Sequence, residues 1–98
     1  EVDWIEAARN NVRLHAGPAV HVLREPLAAL EGRLDPRHFV RIHRSTVVNL
    51  ERVTEILPWF SGDGMVVLRG GTRLRVSRSF REEFEVRLSR GRARRLSS

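Results

Sequence analysis

The sequence predicts a mainly β domain with two short helices, and three observations carry that prediction. Apolar residues alternate with polar ones over short stretches, as in Val12-Arg13-Leu14, Val20-His21-Val22 and Leu74-Arg75-Val76, the period of a half-buried strand. Turn signals rich in glycine, Gly17-Pro18, Gly62-Asp63-Gly64 and Gly70-Gly71, punctuate them. A spacing of three and four residues occurs in only two places, Leu23–Leu34 and Phe80–Leu88, so helices are few.

In chain order, Asp3–Ala8 reads as a first strand around Trp4 and Ile5, and Arg9-Asn10-Asn11 as an exposed connection. Residues 11–23 form a hairpin about Gly17-Pro18, with His15 and His21 facing each other across it. Pro26 suits a first helical position, Leu23, Leu27, Leu30 and Leu34 give a leucine face, and Gly32 is placed as a left-handed cap. After Asp35-Pro36, Phe39–Leu50 makes two extended pieces around the polar bend His43-Arg44-Ser45-Thr46. Arg52–Leu57 is another strand, closed by Pro58. Met65–Leu68 and Arg73–Val76 pair through Gly70-Gly71, with Leu74 and Val76 on one face and Arg73 and Arg75 on the other. Ser79 and Glu82 make a capping box for a terminal helix bearing Phe80, Phe84 and Leu88.

Composition narrows the function. The chain has 98 residues, 41% hydrophobic and 31% charged, the material of one globular core. It has no cysteine, which removes disulfides and thiolate zinc sites and agrees with a cytoplasmic setting. No apolar run is long enough for a bilayer, and Glu1-Val2-Asp3-Trp4 has no signal-peptide character; no membrane is expected. The formal charge of +6 points to a polyanion. It is uneven: residues 1–35 balance at −2, residues 36–89 at +4, and residues 90–98 add Arg90, Arg92, Arg94 and Arg95 without an acid. The chain is read as a domain at 1–89 followed by a basic, disordered tail at 90–98.

No enzyme is expected. Ser45, His43 and Asp35 have no nucleophile elbow or triad order. His15, His21, His38 and His43 lack partners at metal-ligand spacing, and the glycine pairs join strands instead of opening a helix. Neither metal nor cofactor is implied. Arginines and short polar side chains do gather at Arg9-Asn10-Asn11, at His43-Arg44-Ser45-Thr46, and at Ser77-Arg78-Ser79 with Arg81. Each alone reads more readily as a solvated loop. Together they have the chemistry of a duplex reader, gripping phosphates and pairing with guanine or adenine edges. Arg78 and Arg81 oppose the dipole of the terminal helix. Either an anion approaches there, or the pair is bridged to Glu82 and Glu83.

The stretch Phe39-Val40-Arg41-Ile42-His43-Arg44-Ser45-Thr46-Val47-Val48-Asn49-Leu50 resembles the signature of the LytTR family, the DNA-binding output domains of LytR/AlgR-type bacterial response regulators. The likeness extends through Asp3-Trp4-Ile5-Glu6-Ala7, Leu23–Leu34, Val53–Ile56, and Leu74-Arg75-Val76-Ser77-Arg78 with Phe80, and so covers residues 3–88. It implies an elongated fold of about ten short strands in small antiparallel sheets, with one short helix after the first hairpin and a C-terminal helix. It also implies loops that enter successive major grooves of promoter direct repeats, a homodimer on bent DNA, and a receiver or sensory domain upstream. On this reading Arg9, Asn10, Asn11, Arg44 and Arg78 read bases, while Arg41, His43, Ser45, Arg75, Ser77, Ser79 and Arg81 hold phosphates. Where many members have Glu-Ala-x-Gly-Asn-Tyr-Val, this chain has Glu6-Ala7-Ala8-Arg9-Asn10-Asn11-Val12, with arginine for glycine and asparagine for the aromatic. An RNA-binding or protein-interaction β module is the alternative, the latter with Trp59-Phe60 as an exposed anchor.

Overall fold

Val47 and Val48 are neighbours in one strand, both fully buried, yet they belong to different hydrophobic cores. Successive side chains on a strand point to opposite faces, so the sheet that holds them is covered on both sides. The computed structural model describes residues 2–97, with side chains for 2–91.

That sheet has five antiparallel strands. They are β1 (Trp4–Ala8), β2 (Asn11–Ala16), β3 (Ala19–Leu23), β4 (Phe39–His43) and β5 (Thr46–Asn49), in the order β3-β2-β1-β5-β4. One face carries Ile5, Val12 and Val47 against Leu27 and Leu30 of the short helix α1 (Leu27–Glu31). The other carries Val40, Ile42 and Val48 against a second sheet and a terminal helix. The second sheet is β6 (Val53–Phe60), β7 (Asp63–Leu68) and β8 (Arg73–Val76), in sequence order. It buries Val66, Leu68, Leu74 and Val76 inward, together with Phe84 and Leu88 of α2 (Arg81–Ser97). Each fully buried large apolar side chain stabilises the fold by about 1.5–3 kcal/mol. The layers make a slab of 37 × 35 × 25 Å. The eight strands are fewer than the roughly ten that the family resemblance implies, and 3₁₀ turns occupy Leu50–Arg52 and Arg78–Phe80.

Several local expectations are corrected. Pro26 precedes α1 with extended dihedrals, and its carbonyl accepts from the amides of Ala29 and Leu30. Gly32 is right-handed (φ −64°, ψ −17°), since α1 decays into tight turns through Arg33 and Leu34 and no reversal is required. His15 lies opposite Val20, and His21 opposite Leu14, which puts the two histidines on opposite faces. His15 instead stacks on Trp4, with centroids 4.0 Å apart, and contacts Glu6 at 2.9 Å. Strand β6 runs through Pro58 to Phe60. It can do so because it is an edge strand with a register shift between Leu57 and Phe60, where a missing N–H costs little.

The β6–β7 turn is centred on Ser61 and Gly62, both left-handed (φ 56° and 86°), one residue ahead of the expected 62–64. Two left-handed residues are what a two-residue hairpin of the primed type requires. Ser79 Oγ lies 3.3 Å from Ser77 Oγ in place of capping α2, and a 3₁₀ turn leads into the helix. The backbone of α2 continues to Ser97, well past Leu88. The side chains beyond residue 91, on which the expectation of a disordered basic tail largely falls, lie outside the described residues.

Candidate nucleic-acid interface

Strand pairing places the three arginine clusters at one end of the slab. Strand β1 runs antiparallel to β2 and β5, pairing Glu6 with Thr46, so the Arg9-Asn10 turn and the Arg44-Ser45 bend are side by side. The Ala7 amide donates to the Ser45 carbonyl at 2.8 Å. Beyond β4, the Ser77 amide donates to the Ile42 carbonyl at 2.8 Å and sets Ser77-Arg78 next to the bend. The Ser61-Gly62 turn shares this end, because Gly64 of β7 pairs with Val76 of β8. With strands about 4.8 Å apart, the line from the first turn to Ser77 is roughly 17 Å long.

The first turn has Ala8 opposite Asn11, with Arg9 and Asn10 exposed at its tip. Neither has a left-handed backbone, so arginine replaces the family's glycine without strain. Asn11 is drawn inward as the first residue of β2, and its Oδ1 is enclosed with no hydrogen-bond partner among the described residues.

The middle bend is braced from within. Arg41 donates to the His43 carbonyl at 3.1 Å and to the Arg44 carbonyl, and reaches Glu31 of α1 at 2.6 Å. His43 Nδ1 accepts from the Ser45 amide at 3.2 Å and lies 2.9 Å from its hydroxyl. An Nδ1 that accepts leaves the proton on Nε2, which is a donor. Arg44 is exposed at the apex.

At the third element, Asp63 ties two predicted contacts together. Its carboxylate accepts from Arg75 at 2.6 Å and from the Arg78 amide at 2.9 Å. The Arg75 guanidinium first, and the Arg78 amide second, hold the Asp63 carboxyl below its ordinary range. The Arg78 side chain lies across Gly62, where a Cβ would sit 2.5 Å from its Cδ. Ser61, Asp63, Arg75, Ser77, Arg78 and Ser79 line an open polar cleft of about 390 Å³. Arg81 lies over Trp59, 4.2 Å from the ring centroid, and bridges Glu85 at 3.5 Å; it bridges neither Glu82 nor Glu83. Trp59 is half-buried against Gly64.

The arginines thus divide. Arg41, Arg75 and Arg81 are tied to Glu31, Asp63 and Glu85. Arg9, Arg44 and Arg78 are exposed, and their guanidinium groups have no salt bridge among the described residues. Arg24 belongs with the second group. It follows β3, whose last residue Leu23 pairs with Val12, and it shares a cleft with Arg9, Asn10 and Asn11. Sequence inspection missed Arg24, and also Asp63, Glu31 and Trp59 as braces. The one available signal was Asp63, an acid inside a glycine turn beside a basic strand. Among the described residues no group of three His, Asp or Glu side chains could hold a metal ion, and no helix is long and apolar enough to cross a membrane.

Comparison with known proteins shows the family and the fold. The family profile described as the LytTr DNA-binding domain matches residues 1–89. The chain is 42% identical over 62 residues to the transcriptional regulatory protein LytR of Staphylococcus aureus, covering 63% of this chain and 25% of that protein. It is 34% identical over 65 residues to the sensory transduction protein LytT of Bacillus anthracis, covering 66% and 26%. The chain therefore spans about a quarter of the length of these relatives. Its structure is similar to the LytTr DNA-binding domain of a methyl-accepting/DNA response regulator from Bacillus cereus, with TM-score 0.82, 26% identity, and coverage of 89% of this chain and 80% of the other.

Proposed function

Because the chain belongs to the LytTr DNA-binding domain family, we propose that it binds double-stranded DNA sequence-specifically, as the output domain of a bacterial transcriptional regulator. The observation that carries this is the division of the arginines. The guanidinium groups left without a carboxylate partner at one end of the slab sit on the tips of adjacent loops, where each can take a base edge or a phosphate. The arginines between them shape those loops.

Arg44 and Arg78, with Asn10 and Arg9, read base edges. Arg24, Ser45, Ser77 and Ser79 contact phosphates, and His43 offers Nε2–H to the same backbone. A row of roughly 17 Å is wider than the ~12 Å major groove. It therefore fits along the groove rather than across it, so that the tips of all three elements can face base edges. Two copies bound to direct repeats would read a promoter. In the longer regulator a receiver domain would precede this one, and the site of action would be the cytoplasm.

The test is binding to a selected duplex and to a scrambled one at fixed salt. Arg44→Ala and Arg78→Ala are expected to reduce discrimination by about 1–3 kcal/mol each. Equal losses on both duplexes would show that neither reads bases.

A further inference from the structure

Among the large apolar side chains exposed in the described residues, Phe60 is the most exposed, at 83%. Its neighbour Trp59 is packed beneath Arg81 and against Gly64, so the aromatic pair is divided between scaffold and surface. We propose that the Phe60-Ser61-Gly62 turn is a further DNA-contacting element, and that Phe60 makes an apolar contact with the nucleotides beside those held by Arg78. This inference rests on the DNA-binding function proposed above.

Three observations choose DNA as the occupant. The first is continuity. Gly62 lies directly under the Arg78 side chain, and Asp63 accepts the Arg78 amide, so the turn and Arg78 form one rigid unit that meets the same surface. The second is orientation. Phe60 pairs with Asp63 across the turn, so both stand on the same face, and Asp63 is the residue that Arg75 grips. The third is charge. Arg75 and Arg81 on the neighbouring elements are matched by Asp63 and Glu85, and the Arg78 guanidinium beside the turn has no salt bridge among the described residues, a setting suited to a polyanion with apolar base and sugar surface. Proteins that bend DNA use apolar side chains in this way, against or between base steps and flanked by arginine contacts.

The left-handed turn sets the backbone that carries the ring. Ser61 at φ 56° and Gly62 at φ 86° close a two-residue hairpin, so Phe60 is carried beside a short turn and little backbone entropy is lost on contact.

The experiment compares Phe60→Ser and Phe60→Leu with the parent domain on the selected duplex over a range of salt concentrations. Phe60→Ser is expected to fold with an unchanged melting temperature, because the side chain is exposed, and to lose about tenfold in affinity. The slope of log K against log salt is expected to remain the same, because an apolar contact releases no counterions. Phe60→Leu is expected to recover most of the loss. Unchanged affinity in Phe60→Ser would overturn the proposal, as would a loss accompanied by a shallower slope. So would a changed self-association with DNA binding intact, which would assign Phe60 to a second copy of the chain. If the parent domain itself binds selected and scrambled duplexes equally, the underlying DNA-reading function fails independently of Phe60.

Discussion

Replacing Arg41 by methionine separates a residue that shapes the reading bend from one that touches DNA. Methionine keeps the aliphatic stem and removes three interactions: donation to the carbonyls of His43 and Arg44, and the 2.6 Å pair with Glu31. Each hydrogen bond is worth about 1 kcal/mol net. The ion pair adds between zero and about 1 kcal/mol, since the two side chains are 24% and 38% exposed and partly screened. The sum is a destabilisation of about 2–3 kcal/mol. With a urea m-value of about 1–3 kcal/mol/M, the unfolding midpoint is expected to fall by about 0.7–3 M. DNA affinity should fall as well, because Arg44 loses its fixed apex. The deciding quantity is the salt dependence. A side chain that neutralises a phosphate contributes about 0.9 to the slope of log K against log salt. Arg41, already matched by Glu31, is expected to contribute nothing. Titration by fluorescence anisotropy at four or more salt concentrations would measure it. A slope shallower by about one unit in Arg41→Met would refute the bracing role and return Arg41 to the phosphate contacts that the sequence alone assigned to it.

Two further perturbations address the scaffold. Gly64 is buried, and a Cβ there would lie 2.2 Å from Cε3 and Cζ3 of Trp59, so Gly64→Ala is expected to cost about 1–3 kcal/mol by overpacking. That lowers the melting temperature by roughly 4–8 °C per kcal/mol, with partial recovery when Trp59→Leu is added; a wild-type melting curve for Gly64→Ala would contradict the packing. Asp35 is held down to about 2, first by its side-chain hydrogen bonds from Arg37, then by the Arg37 amide. A lowered carboxylate adds stability that is fully present above its ordinary value of 3.8 and disappears as the pH falls toward 2. Asp35→Asn should therefore flatten the stability profile between pH 4 and 2, as followed by denaturant titration at each pH, and leave its shape above pH 5 unchanged; parallel acid limbs in both proteins would remove Asp35 from the acid response.

Much of the fold is written in local patterns. The alternation Leu74-Arg75-Val76 appears as buried, exposed, buried, Leu27 and Leu30 face the sheet, and Phe84 and Leu88 close the second core. Local pattern fails where distant context decides. Pro58 reads as a strand end because nothing local says that β6 is an edge. His15 and His21 read as facing each other because one residue of register reverses every face. The candidate site shows the same division. The tips Arg9-Asn10, Arg44 and Arg78 are legible as polar breaks in apolar periodicity. Which cations are neutralised is not, since Glu31 and Arg41 are ten residues apart in sequence and Asp63 is twelve and fifteen from its partners. Those pairs exist only once the order of the strands is known.

The adjacency of Val47 and Val48 bears on the bend that precedes them. A slip of β5 by one position would carry each Val to the opposite face and push Thr46 or Asn49 into one of the two hydrophobic layers. No shallow excursion is open to this strand. Arg44 and Ser45 hang from its first residue, and their placement therefore inherits the cooperativity of the entire molecule. The backbone of an exposed apex is in this way anchored directly to the most deeply enclosed strand of the domain.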